Sequence, residues 1–135
     1  MITLMVVDDC QPVRDSLTVW LGLEPDFEVV AQAADGATAV ELAMKLCPDV
    51  VLMDLRMPVH DGVTATARLR EACPQTKVLM LTLADDADSA RAAFEAGAAG
   101  YVLKYADPNT ITAGIRSVHG LADPAVSEGV GTQPS

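Results

Sequence analysis

Apolar residues fall along this chain in two alternating rhythms. Short, nearly unbroken runs occur at Ile2–Val7, Phe27–Ala33, 49–54, 77–83 and Gly100–Leu103. Runs of this length bounded by turn residues read as buried strands. Between them, apolar side chains recur every three or four positions, as on one face of a helix. Val13, Leu17, Trp20 and Leu21 form the first such stripe, and Ala39, Leu42, Ala43 and Leu46 the second. Val63, Ala67 and Leu69, with Arg70, form a third; Ala90, Ala93 and Phe94 a fourth; Ile111, Ile115 and Val118 a fifth. The punctuation agrees. Pro12 suits a first helical turn, and Asp107-Pro108 is an N-cap followed by proline at the first helical position. Asp35-Gly36 marks a turn, and Asp85-Asp86 can cap the fourth helix. Gly22 with Glu24-Pro25-Asp26, then Pro48, Cys73-Pro74, Gly97 and Gly120, close the five helices.

Strands alternating with helices five times predict an α/β fold with a doubly wound, five-stranded parallel sheet between two helical layers. The central strand is 49–54, where Val50, Val51, Leu52 and Met53 run straight into Asp54. Four consecutive apolar residues imply burial on both faces. The second strand alternates less cleanly, as expected near a sheet edge. Residues 1–120 are expected to form one domain. From Leu121 to Ser135 the segment is rich in Gly, Pro, Ser and Ala without an apolar period, so 121–135 reads as a linker or tail.

Composition narrows the function. Nine Lys and Arg against 19 Asp and Glu give a net charge of −10. Such a chain is a poor direct partner for nucleic acid or an anionic membrane, both of which need clustered basic residues. No apolar run spans a bilayer, and Met1 to Val7 has no basic leader. Three cysteines, Cys10, Cys47 and Cys73, are odd in number and show no C-x-x-C spacing, so a cytoplasmic location is expected rather than a disulfide framework or zinc site.

Four strands end in chemically capable groups: Asp8-Asp9, Asp54, Thr82 and Lys104. With strand order 2-1-3-4-5 they converge at the carboxyl edge, where open α/β sheets bind ligands. Clustered carboxylates need a neutralising partner, and an oxygen-only site with room for waters suits Mg²⁺. A carboxylate held there can act as a nucleophile toward phosphorus, with Lys104 balancing charge and Thr82 donating a hydrogen bond.

The chain resembles the receiver domain of two-component response regulators, the flavodoxin-like, CheY-like fold. The matching stretches are Val6-Val7-Asp8-Asp9, Met53-Asp54-Leu55-Arg56-Met57-Pro58, Asp61-Gly62, Leu81-Thr82 and Ala96-Gly97-Ala98-Ala99-Gly100-Tyr101-Val102-Leu103-Lys104. They span residues 2 to about 120. The resemblance implies that Asp54 accepts a phosphoryl group from a sensor histidine kinase. It implies that Asp9 and Asp54 bind Mg²⁺ through their side chains, Asp8 mostly through water, and Arg56 through its backbone carbonyl. Thr82 would swing toward the phosphoryl group and Tyr101 would move between outward and inward positions, a switch rather than an enzyme, able to promote its own phosphotransfer and dephosphorylation. Asp54-Leu55-Arg56-Met57-Pro58 and Ala106-Asp107-Pro108 look most like the NarL/FixJ subfamily, whose members carry a LuxR-type DNA-binding domain after the receiver. The expectation is therefore a receiver cut from a longer transcription regulator, touching DNA only through that further domain, with a homodimer possible. Cys10, Leu83 and Tyr105 depart from the family's pattern. Tyr105 stands where many receivers have a cis proline; because a cis bond before another residue costs about 2.5–4 kcal/mol, trans is expected.

Plainer roles compete with each assignment. Asp8-Asp9 suits a turn before a helix, Lys104 a solvated surface, Thr82 an ordinary strand and Tyr101 a packed core. Trp20 reads chiefly as core, and an exposed Trp20 would hint at a dimer face. His60 and His119 have no partners at ligand spacing. Among other functions, a receiver-like interaction module that works without phosphorylation is one alternative. A Mg²⁺-dependent phosphatase of the haloacid-dehalogenase type is another, although it needs a second Asp two residues after the nucleophile, where this chain has Arg56. A dinucleotide-binding protein lacks its G-x-G-x-x-G loop.

Overall fold

The computed structural model describes residues 1–55, 62–82 and 87–120. Five strands and five helices alternate along them. They are β1 (Ile2–Val7), α1 (Gln11–Leu21), β2 (Phe27–Ala33), α2 (Gly36–Leu46), β3 (Val50–Asp54), α3 (Gly62–Ala72), β4 (Lys77–Thr82), α4 (Ala87–Ala96), β5 (Gly100–Leu103) and α5 (Pro108–His119). The strands form one parallel sheet in the order β2-β1-β3-β4-β5. This is the expected order and places β3 at the centre, with all five of its residues buried.

Because successive strand side chains point to opposite faces, each strand feeds two cores. On one face Met5, Val7, Val51, Met53, Val78 and Met80 pack against α2, α3 and α4 through Ala39, Ala43, Leu69 and Phe94. On the other, Leu4, Val6, Leu52, Leu79 and Leu81 pack against α1 and α5 through Leu21, Ile111, Ile115 and Val118. The small alanines of α2, α3 and α4 let those helices lie close to the sheet. Val13, Leu17 and Trp20 of α1 are half-buried, and Trp20 packs against the second core, so the core assignment holds for it. Two stripe positions are corrected: Leu46 and Ala67 are exposed. Leu46 is the last residue of α2, where the chain has begun to leave the helical path. Ala67 is two residues from Leu69 and so lies on a different side of α3.

Capping explains the helix limits. Asp35 accepts from the Thr38 N–H at 2.8 Å at the start of α2, and Asp107 from the Asn109 N–H at 2.7 Å at the start of α5, with Pro108 in its first turn. Gly97 ends α4 with φ of 117°, a conformation that L side chains rarely adopt. Cys47 closes α2 in the left-handed region at φ 46°, its N–H donating to the Ala43 carbonyl. Glycine or asparagine is usual there, and nothing in the sequence pattern announced the cysteine.

The amino-terminal edge of the sheet is tied by side chains. Thr3 N–H and Oγ1 both donate to Asp49 Oδ2, at 2.9 and 3.1 Å, and Asp49 N–H donates to Thr3 Oγ1 at 2.9 Å. Thr76 Oγ1 donates to the Pro48 carbonyl at 2.8 Å. These bonds fix the start of β3 against β1 and β4. On the α5 side, Arg116 donates to Asp26 and Glu24 and lies over the Phe27 ring, 4.7 Å from its centre. Hydrogen bonding from Arg116 holds the Asp26 carboxyl below its usual range. No peptide bond among the described residues is cis, in agreement with the trans expectation at Tyr105.

Candidate functional site

β1 and β3 are neighbours in register, Val7 opposite Met53, so the residues just beyond them arrive at the same level. One oxygen from each of Asp8, Asp9 and Asp54 lies within 4.8 Å of the others. Asp8 is fully buried, Asp54 is 4% exposed and Asp9 is exposed. The pocket therefore has a dry floor and one carboxylate at its mouth.

Asp54 sits on β3 because the apolar run before it can be buried on both faces, which leaves the acid at the strand's end. The backbone continues to be held beyond it, since the Leu55 N–H donates to the Leu81 carbonyl at 3.0 Å. Gly62, the first residue of α3, closes over this point, and its N–H donates to the Leu55 carbonyl at 3.1 Å. A Cβ at Gly62 would lie 2.6 Å from Met80 Cε, 2.9 Å from the Asp54 carbonyl oxygen and 3.0 Å from Leu55 Cα. The glycine of Asp61-Gly62 is thus needed because a helix starts directly against the end of the strand that carries Asp54.

Lys104, one residue past β5, reaches back across β4. Its Nζ donates to Asp54 Oδ2 at 2.9 Å and forms an ion pair with Asp8 Oδ2 at 3.4 Å. Its backbone N–H donates to the Thr82 carbonyl at 2.7 Å, which anchors the turn that carries it. Burial by itself would lower the Lys104 pKa; the hydrogen bond to Asp54 and the charges of Asp54 and Asp8 outweigh it and hold the ammonium above the usual lysine range. Thr82 ends β4 and is buried, opposite Leu103 in register.

Asp8 also plays the plainer role. Its Oδ1 accepts from the Cys10 N–H at 2.8 Å, turning the chain into α1, whose N-cap Cys10 makes no side-chain cap bond. Its Oδ2 is buried and accepts no hydrogen bond, its one partner being the Lys104 ammonium at 3.4 Å. A buried carboxylate oxygen held by so long a contact gains from a further cation. Three carboxylate oxygens this close, with one at solvent, fit a small hard cation that keeps several waters.

Sequence reasoning missed Arg14. From α1 its Nη1 donates to the Asp8 carbonyl at 2.6 Å and its Nε to Gln32 Oε1 at 3.4 Å, so it fixes the backbone beneath the acidic pair. No motif signals this, because the contact depends on how α1 docks. Tyr101 does not reach the pocket. It is half-buried and meets Phe94 edge-on, with ring centres 5.5 Å apart. Arg56, Met57, Pro58, His60, Asp61, Leu83, Asp85, Asp86 and the 121–135 segment lie outside the described residues. His119 is exposed in the last turn of α5.

Comparison with known proteins gives one answer. The family model of the response regulator receiver domain matches residues 4–116. The transcriptional regulatory protein DegU of Brevibacillus brevis is 41% identical over 117 residues, 87% of this chain and 50% of that protein. The transcriptional regulatory protein LnrK of Bacillus subtilis is 42% identical over 119 residues, 88% of this chain and 54% of that protein. The chain spans about half the length of these relatives. Among solved structures, the signal receiver domain of the response regulator NarL from Mycobacterium tuberculosis superimposes with a TM-score of 0.81 at 34% identity, covering 89% of this chain and 98% of that one. A LuxR-family response regulator from an Aurantimonas species gives 0.82 at 36% identity, covering 87% and 84%. The acidic pocket on a 2-1-3-4-5 sheet and these matches agree: the chain belongs to the receiver-domain family of two-component response regulators, of the NarL/LuxR type.

Proposed function

We propose that Asp54 is the phosphoryl acceptor of this receiver and that a sensor histidine kinase supplies the phosphoryl group. The observation that carries this is the Lys104 ammonium seated on Asp54 Oδ2, beside two further carboxylates at the end of the central strand. A carboxylate oxygen of Asp54 attacks phosphorus, the bond from phosphorus to the donor's imidazole nitrogen breaks, and that nitrogen keeps the electron pair. The product is an acyl phosphate on Asp54.

Lys104 stays at the pocket to balance charge on the phosphoryl oxygens, and the Thr82 hydroxyl donates to one of them. Asp9, Asp54, Asp8 and the Arg56 backbone carbonyl are the residues that would hold Mg²⁺. When bound, the ion neutralises the carboxylates and draws off charge from the phosphoryl group. Arg14 keeps Asp8 in place from below. Tyr101 and Thr82 carry the resulting change to the α4-β5-α5 face, biasing a two-state equilibrium.

Residues 1–120 act as the receiver and 121–135 as a linker, the output being transcription through a DNA-binding domain and the setting cytoplasmic. No helix among the described residues is long and apolar enough to cross a membrane. A second copy of the chain is a further partner of the phosphorylated form.

Incubation with Mg²⁺ and acetyl phosphate or a phosphoramidate tests the assignment. The native chain should gain the mass of one phosphoryl group, and Asp54→Ala should gain none. An undiminished gain in Asp54→Ala, or no gain in the native chain, would defeat it.

A further inference from the structure

β1 ends at Val7, so Asp9 lies beyond the ladder of strand hydrogen bonds, whereas Asp54 is still within it. Asp9 is also exposed, so solvent rather than packing surrounds its carboxylate. The backbone just before it is held tightly. The Asp8 carbonyl belongs to the peptide that joins Asp8 to Asp9. Arg14 Nη1 donates to that oxygen at 2.6 Å, and the Asp8 N–H donates to the Ala33 carbonyl at 3.1 Å. Arg14 is tied on its other side too, its Nε donating to Gln32 Oε1 at 3.4 Å. Gln32 lies on β2, opposite Val6 and one position before Ala33. A planar guanidinium, with its donors in a fixed fork, thus bridges β2 and the Asp8-Asp9 peptide. Both acceptors are neutral oxygens, and one of them lies on a residue of the acidic cluster.

We propose that Arg14 is a positioning residue for the cation site: it sets the plane of the Asp8-Asp9 peptide and so aims the Asp9 carboxylate at the point it shares with Asp8 and Asp54. This rests on the reading that these acids hold Mg²⁺. A peptide unit is planar, so fixing its oxygen fixes where the Asp9 Cα lies and limits the directions open to the Asp9 side chain. A hydrogen bond from a charged donor is stronger than one from a neutral donor, which suits a clamp on a single carbonyl. Without Arg14 the peptide can rotate. Asp9 must then be ordered each time a cation binds, and that ordering costs affinity.

The charge of Arg14 acts in the opposite direction. A guanidinium near a cation site repels the cation, so removing it on electrostatic grounds alone tightens binding. Removing a positioning residue weakens binding. Removing an arginine that merely supports the fold lowers stability and leaves the affinity of the folded chain unchanged. The three roles therefore differ in the direction in which one dissociation constant moves.

The test titrates the whole chain, isotope-labelled for NMR, with Mg²⁺ alone at neutral pH and constant ionic strength. Amide shifts give the dissociation constant, and a dispersed spectrum identifies the folded chain. Arg14→Met keeps the apolar stem and loses every donor. It should raise the dissociation constant about 10- to 100-fold, the range for residues that orient a metal's ligands. Arg14→Lys keeps the charge and one donor for the Asp8 carbonyl, and should recover part of that loss. Gln32→Leu should weaken binding less than Arg14→Met, and adding it to Arg14→Met should change nothing further, because both act through one contact. Phosphorylation by acetyl phosphate should divide in the same way, the Arg14→Met rate falling at low Mg²⁺ and returning toward the native rate at saturating Mg²⁺. An unchanged or tighter dissociation constant in Arg14→Met or, if that chain does not fold, in Gln32→Leu would overturn the proposal and leave the reading of the metal site standing. A native chain that binds no Mg²⁺ would overturn that reading and this proposal with it.

Discussion

Lys104 decides the electrostatics of the pocket. Two buried carboxylates, Asp8 and Asp54, share its ammonium, and the side chain itself is 21% exposed. Lys104→Met leaves those acids without a cation. Breaking a fully buried pair costs about 3–5 kcal/mol; with Lys104 partly solvated we expect a loss of about 1–2 kcal/mol in urea unfolding without Mg²⁺. The pH dependence follows from the raised lysine pKa. The folded state holds the proton more tightly than the unfolded chain, so this contribution is fully present below the ordinary lysine value of 10.5 and is lost as pH rises through the higher folded value. The wild-type chain should therefore lose more stability above about pH 10.5 than Lys104→Met does; equal alkaline slopes would show that the pair contributes nothing. At this scale the candidate site was legible, because Asp8, Asp9, Asp54, Thr82 and Lys104 each follow or end an apolar strand. Arg14 was not, because a helical arginine six residues past Asp8 looks like any solvated charge until α1 is docked.

Elements place these residues, and Gly62 is where two of them nearly collide. Its helix starts directly on the carboxyl end of β3, with the Asp54 carbonyl oxygen and Leu55 Cα at 2.9 and 3.0 Å from an added Cβ. Backbone atoms cannot step aside as the flexible Met80 end can. Gly62→Ala should cost about 1–3 kcal/mol of stability, the range for overpacking. It should also slow phosphorylation by acetyl phosphate, since it displaces the strand end that carries Asp54. A Gly62→Ala chain with wild-type stability and rate would contradict this account of the Asp61-Gly62 pair. Periodicity gave the five helices their inward faces well where the stripe is long, as in Ile111, Ile115 and Val118 of α5, all buried. It failed at Leu46, at a helix end, and at Ala67. An alanine carries too little apolar area to reveal which side of a helix it occupies.

The whole molecule brings acids from β1 and β3 together, and stability should report it. Mg²⁺ that binds only the folded chain raises stability by about 2.7 kcal/mol at one hundred times its dissociation constant. Thermal melts should rise with added Mg²⁺, fall back with EDTA, and lose most of this response in Asp9→Ala. A melting temperature indifferent to Mg²⁺ in the wild-type chain would remove the metal from the account. By itself the sequence determined the alternation of strands and helices, the burial of Val50 to Met53 and the polar strand ends. Each of these follows from local spacing and from the need to bury apolar surface. Tertiary structure alone decided that Asp8 and Asp54 share the Lys104 ammonium and that Arg14 supports the Asp8 backbone. Those contacts join residues on different elements, and they form only when two faces of one sheet are packed and the helix ends arrive at fixed positions.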